Sequence, residues 1–153
     1  MKSYKKKIVA FVATGGWIGY APIAPGTFGS IVALPLCWMI ASLSTRIAII
    51  VLLVLIAAST WVSHEAEKMA GQDDPSHVVV DEICGMAVAL FGFSFAPPNI
   101  ICGLAFFRLF DILKPFPIGW VDKKVSGGWG IMLDDLLAGM IANALLRFFL
   151  NPV

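Results

Sequence analysis

Five acidic residues stand out for where they fall. Asp81-Glu82, Asp111 and Asp134-Asp135 each adjoin a long apolar run in a chain with few charges. A carboxylate set against apolar sequence is costly unless something pairs with it. Three such positions in one small domain would repel one another, and a bound cation removes the repulsion. Carboxylate oxygens are hard ligands that select magnesium or calcium, and magnesium commonly takes a substrate phosphate as a further ligand. Neighbouring helical residues point in different directions. Within each acidic pair, one side chain can therefore hold the ion while the other orients it or holds a second. The middle position carries two cations. Arg108, Asp111 and Lys114 are spaced three and three, a stripe along one helix face. An ion-pair ladder would explain that stripe; so would a site that sets Asp111 on a cation and Lys114 on a phosphate oxygen. A further polar island, Pro25-Gly26-Thr27-Phe28-Gly29-Ser30, places glycines where backbone can approach an anion. It adds hydroxyls at Thr27 and Ser30, at a helix start whose free amides attract phosphate. Taken alone, it also reads as a plain turn and helix cap.

The elements that must position these residues are helices. The 153 residues suit one domain spanning 1–153. Hydrophobic residues make up 59% and charged residues 14%, which excludes intrinsic disorder. A net charge of +1 leaves no basic excess for a nucleic acid. Cys37, Cys84 and Cys102 all lie in apolar runs, so neither a disulfide framework nor a zinc site is expected. His64 and His77 read as solvated or interfacial. All ten acidic residues lie between Glu65 and Asp135, whereas Lys2, Lys5, Lys6 and Lys7 crowd the start and predict a cytoplasmic N-terminus. Gly15-Gly16 and two prolines follow too soon for a cleaved signal. Few segments alternate with period two, and Val78-Val79-Val80 is too short to count as a strand. Helices are predicted over about Tyr4–Thr14, Thr27–Ser42, Arg46–Met69, from Asp81 to just before Pro97, Asn99–Leu113 and Leu133–Leu150, with SGGWG as a loop. Only the uncharged run Ile47–Val62 approaches a bilayer span. The expected architecture is an all-α compact bundle of about six helices, membrane-embedded or membrane-associated, with short apolar helices. Ile31–Ile40 and Ile47–Val62 should form a down-and-back pair.

Absences narrow the chemistry. The chain lacks G-x-x-x-x-G-K-[ST], D-x-D, and the D-G that the CDP-alcohol phosphotransferase signature requires. Metal-assisted displacement at phosphorus with water as nucleophile survives. Two readings from other classes compete with it. One is an ion-coupled membrane carrier using buried carboxylates, against which stand the missing repeats and full-length spans. The other is a non-enzymatic membrane adaptor. PGTFGS, the long helix with His64, VVDEICG, FRLFDILKPFPIGWVD and GGWGIMLDDLLAG occur in this order from Pro25 to Gly139. Jointly they resemble the phosphatidylglycerophosphatase A family. That resemblance implies an all-helical bundle in a bacterial cytoplasmic membrane; Lys2 to Lys7, with the PGTFGS loop following the first short helix, set the pocket on the cytoplasmic side. The resemblance also implies a magnesium-dependent phosphatase that converts phosphatidylglycerophosphate to phosphatidylglycerol. Carried over motif by motif, it makes Asp81, Glu82, Asp111, Asp134 and Asp135 the Mg2+ ligands, and Asp81, Asp111, Lys114, Asp134 and Asp135 the catalytic groups. Gly26, Thr27, Gly29, Ser30, Arg108 and Lys114 would hold phosphate. The expected partners are the lipid and the membrane, with no nucleic acid and no protein partner.

Overall fold

A computed structural model describes residues 3–150. Among them it shows helices α1 (Ser3–Ala13), α2 (Pro25–Val32), α3 (Leu34–Ala41), α4 (Thr45–Ala70), α5 (Val80–Ala89), α6 (Pro97–Leu113), α7 (Ile118–Lys124) and α8 (Gly128–Phe149), and no strand. Helices α2 and α3 together are the expected Thr27–Ser42 helix, interrupted at Ala33. Pro35 has no amide to bond back one turn, which accounts for the interruption. Helix α4 stops where Gly71 takes the left-handed conformation at φ 68. Helix α6 starts at Pro97, where the missing amide costs nothing. Asn99, expected as its cap, lies inside the helix and donates to the Ser94 carbonyl at 2.9 Å.

Three boundaries differ from expectation in ways that matter. Helix α5 ends at Ala89 instead of continuing toward Pro97. The Asn143 side-chain amide, from α8, donates to the carbonyls of Val88, Ala89 and Phe91 at 3.2, 2.9 and 2.8 Å. These are groups that a helix end leaves free. Helix α7 occupies a segment expected to be irregular. Helix α8 begins at Gly128, inside the SGGWG segment, after Gly127 at φ 76. Asp134 and Asp135 therefore lie well inside the helix, beyond the first turn, where a carboxylate would complement the helix dipole. Another partner must account for them.

Helices α5 and α8 form the centre of the bundle. A Cβ on Gly139 would overlap the Gly85 carbonyl oxygen, and one on Gly85 would come within 2.5 Å of the Phe107 ring and 2.9 Å of the Asp135 carbonyl oxygen. The two backbones touch, and fully buried Phe107 from α6 closes over the contact. Gly128 likewise admits α4, since a Cβ there would sit 2.5 Å from the Thr60 carbonyl oxygen. The main core gathers Met86, Leu90, Phe107, Ile118, Ala138 and Leu146. Helices α3 and α4 turn back on each other through residues 42–44 and share Cys37, Ile40 and Ala48 with that core. A second cluster, Val9, Ala13, Val62, Ala66, Val78, Val80 and Ile131, joins α1 to α4. Helix α4 carries exposed Ile47, Ile50, Leu53, Val54 and Trp61. Helices α4 and α8 are long and apolar enough, by length and composition, to cross a membrane.

Gly139→Val should force α5 and α8 apart and lower stability by about 1–3 kcal/mol. Thermal denaturation of the purified protein measures this. An unchanged midpoint would mean that the helices do not meet at this residue.

Candidate active site

The glycine contact sets the position of the acids. Asp81 lies one helical turn before Gly85, and Asp135 one turn before Gly139. Bringing the glycines together brings the acids together. One oxygen from each of Asp81, Glu82 and Asp135 lies within 4.8 Å of the others. Asp81 and Asp135 are buried. Asp81 Oδ1 and Glu82 Oε2 are buried without a hydrogen-bond partner in the protein. Burial, and then the charge of Glu82 beside it, pushes the Asp81 carboxyl well above the usual carboxylate range. Burial raises Glu82 as well. Three hard carboxylates with unclaimed oxygens suit a divalent cation of the magnesium or calcium type.

The remaining acids are held by cations. On α6, Asp111 Oδ2 lies 2.5 Å from Arg108 Nη1, which also approaches Glu82 Oε1 at 3.9 Å. Gly26, at the start of α2, covers this pair with bare backbone; a side chain there would overlap Glu82 and Arg108. Arg108 Nε is buried and has no partner in the protein. Lys114 follows α6 in the left-handed conformation, φ 42 and ψ 53, which takes it off the helix stripe. Its ammonium reaches Asp122 Oδ1 at 2.5 Å and Asp134 Oδ2 at 2.6 Å. Burial opposes its charge, but these two ion pairs outweigh burial and hold its pKa above the usual lysine value.

All of these groups except Asp122 line one cavity of about 360 Å³. Asp74, from the loop before α5, completes its wall. Burial raises the Asp74 carboxyl, and the Lys114 charge opposes that rise. The structure thus gathers Asp81, Glu82, Asp111, Asp134, Asp135, Arg108 and Lys114, with Gly26 beside them. Thr27, Gly29 and Ser30 lie off this wall. The Thr27 amide donates to the Ala24 carbonyl at 3.0 Å, Ser30 donates its buried hydroxyl to the Gly26 carbonyl at 2.9 Å, and Gly29 packs against Val79. The Thr27 amide and the Ser30 hydroxyl are thus used in the first turns of the helix. Sequence reasoning missed Asp74 and Asp122. Both sit in polar stretches, QDDPS and VDKK, where acids ordinarily read as solvated. Asp122 ends the FRLFDILKPFPIGWVD motif, the one available signal.

A helical bundle with unclaimed carboxylate oxygens beside an arginine and a lysine has the chemistry to hold a cation and an anion side by side. The family model described as phosphatidylglycerophosphatase A matches residues 11–150, and the chain belongs to this family of phosphatases. Phosphatidylglycerophosphatase A of Escherichia coli strain K12 is 36% identical over 90% of this chain and 80% of its own. The protein of that name from Haemophilus influenzae is 34% identical over 88% of this chain and 83% of its own. A putative phosphatidylinositol-3-phosphatase of Bacteroides thetaiotaomicron is 35% identical over 88% and 89%. No solved structure matches the chain significantly.

Asp81→Asn or Asp135→Asn should weaken the binding of a divalent cation, titrated as Mg2+ or Ca2+, at least about tenfold, roughly 1.4 kcal/mol, by calorimetry. Asp122→Asn should leave it nearly unchanged. Equal losses in all three variants would mean that the cation is not seated on Asp81, Glu82 and Asp135.

Proposed function

We propose that the chain is a magnesium-dependent lipid phosphatase that hydrolyses the terminal phosphate monoester of phosphatidylglycerophosphate to phosphatidylglycerol. It would act at a bacterial cytoplasmic membrane, with the cavity facing the cytoplasm. The observation that carries this reading is the convergence of unpartnered Asp81 and Glu82 oxygens, Asp135, Arg108 and Lys114 in one cavity of a chain from this family.

Asp81, Glu82 and Asp135 would hold the magnesium ion. When bound, it supplies positive charge against a phosphoryl oxygen. The chain's own residues do the rest. Arg108 and Lys114 meet the remaining phosphoryl charge. Asp111 orients Arg108; Asp134 and Asp122 orient Lys114. A water oxygen bonds to phosphorus as the bond from phosphorus to the glycerol oxygen breaks. The glycerol oxygen gains a proton, and inorganic phosphate leaves. Asp111 and Asp134, outside the trio, are the carboxylates available to relay that proton.

The lipid substrate is supported by the placement of the cavity. It opens where α2 and α5 begin and α6 ends, at one end of apolar helices. Acyl chains can stay in an apolar phase while the headgroup enters, avoiding a cost of about 0.8 kcal/mol per CH₂ exposed to water. A monoester offers more charge and more free oxygens than a diester to a cation, Arg108 and Lys114. The lysine-rich start and the two long apolar helices support the membrane and its cytoplasmic side.

Lys114→Ala should lower the rate at least about tenfold, roughly 1.4 kcal/mol of transition-state stabilisation. A wild-type rate would return Lys114 to a purely structural ion pair. Phosphate release from detergent micelles should be far faster with phosphatidylglycerophosphate than with glycerol 3-phosphate or phosphatidylglycerol, and should stop when a chelator removes magnesium. Comparable rates on glycerol 3-phosphate would sink the lipid assignment. Faster release from phosphatidylinositol 3-phosphate would transfer it to the headgroup named for the Bacteroides relative.

A further inference from the structure

We infer that α1 and the turn that follows it form a docking surface for an anionic lipid bilayer, with α1 lying in the headgroup plane. Val9 and Ala13 face inward, into the cluster shared with α4. Tyr4, Ile8, Phe11 and Val12 recur at i, i+4, i+7 and i+8, forming one stripe on the opposite side, and all four are exposed. At helical spacing, Lys5 and Lys7 flank that stripe on either side. An apolar stripe between two lysines, opposite the face that packs on the protein, is the pattern of a helix that lies in a membrane interface.

The surface continues beyond the helix. Phe11 meets Trp17 edge-on with ring centres 5.9 Å apart. Trp17 stacks on Tyr20 at 6.2 Å, and Tyr20 on His77 at 5.2 Å with the planes 7° apart. Trp17 and Tyr20 are more than half exposed, at 52% and 58%. Rings with an apolar body and a polar tip favour the interface between lipid and water. Charge selects the occupant. No acidic residue precedes Glu65 in the sequence, and Lys5, Lys6 and Lys7 make no ion pair among the described residues. A second copy docked face to face would set lysines against lysines. An anionic bilayer complements both the charge and the apolar stripe.

This surface is tied to the active-site cavity. The Val79 amide donates to the Ala13 carbonyl at 2.8 Å, and Gly15 packs against Val79 and Ile83. Gly19 packs directly on the His77 carbonyl. Residues 77–79 then run straight into Asp81. A bilayer that seats α1 therefore fixes the cavity near headgroup level. The inference extends the lipid-substrate reading, but its test does not depend on catalysis.

The test is limited trypsin digestion of the full chain in nanodiscs, with cleavage after Lys5, Lys6 and Lys7 followed by mass spectrometry. One set of discs contains phosphatidylcholine alone; the other also contains phosphatidylserine. Cleavage should be at least about tenfold slower in the anionic discs, and high salt should restore it. Ile8→Asp and Phe11→Asp replace exposed side chains, so the fold should survive by circular dichroism while the protection disappears. Equal cleavage rates in both discs would overturn the inference. So would protection that ignores lipid charge, or protection that grows with protein concentration in detergent, which would indicate self-association. If the wild-type chain released no phosphate from lipid while protection held, the function proposed above would fail and this surface would stand.

Discussion

The contact between Gly85 and Gly139 governs the rest of the structure. Because neither residue has a Cβ, α5 and α8 approach until backbone meets backbone. Each helix carries an aspartate one turn earlier, so the approach that packs the core also drives Asp81 and Asp135 together. The repulsion cannot be relaxed by separating the helices without opening the core around Met86, Phe107 and Ala138. Apolar packing and polar site are thus coupled. The core holds an arrangement of charges that would be unfavourable on its own, as is common where a site is built for function.

The surrounding charges follow from that coupling. Six carboxylates line the cavity wall, Asp74, Asp81, Glu82, Asp111, Asp134 and Asp135, and only two cations, Arg108 and Lys114. Both cations are engaged by acids, Arg108 by Asp111 and Lys114 by Asp134 and Asp122. A doubly charged phosphate approaching this wall would meet net negative charge. Residues of the chain alone cannot reverse that sign. A divalent cation seated on Asp81, Glu82 and Asp135 would halve the wall's excess of four negative charges and set a positive centre where a phosphate oxygen can approach.

Much of this was legible in the sequence, and the rest was hidden for identifiable reasons. Hydrophobic periodicity and punctuation placed α4 to within a residue at each end, because Gly71 is a local signal that acts locally. The end of α5 was not legible. Asn143 holds its free carbonyls from more than fifty residues away, and the one local mark, Gly92 at φ 81, stands inside an apolar run that reads as continuing. The start of α8 was misplaced because glycines usually mark loops, whereas Gly128 is required by the closeness of α4. That error concealed the most telling fact about Asp134 and Asp135, their depth inside a helix. The motif spacing singled out Arg108, Asp111 and Lys114 as one stripe. The left-handed turn at Lys114 instead sends its ammonium to α7 and α8, to Asp122 in a helix that was not expected at all. The polar island at 25–30 reaches the cavity through Pro25 and Gly26, while Ser30 spends its hydroxyl on the Gly26 carbonyl inside α2.

The same coupling bears on how such a chain can sit in a bilayer. At 1.5 Å per residue, α5 is about 15 Å long and α6 about 26 Å, both short of a hydrocarbon core of about 30 Å. With the cavity at headgroup level, the segment joining these two helices, residues 90–96, would lie at membrane depth. Irregular backbone is tolerated there only if its polar groups are satisfied within the protein. Here Asn143 caps the carbonyls of Val88, Ala89 and Phe91, and Asn99 bonds the Ser94 carbonyl. Arg147 donates to the Phe91 carbonyl at 3.2 Å while its guanidinium lies 5.4 Å from the centre of the Phe93 ring. The far end of the bundle thus has the internal bonding that a short-helix membrane protein needs, supplied by the same helix, α8, that brings Asp135 to the cavity. One helix therefore serves both ends, acids near its start and an asparagine and arginine near its finish. Neither end can move along the axis of α8 without carrying the other.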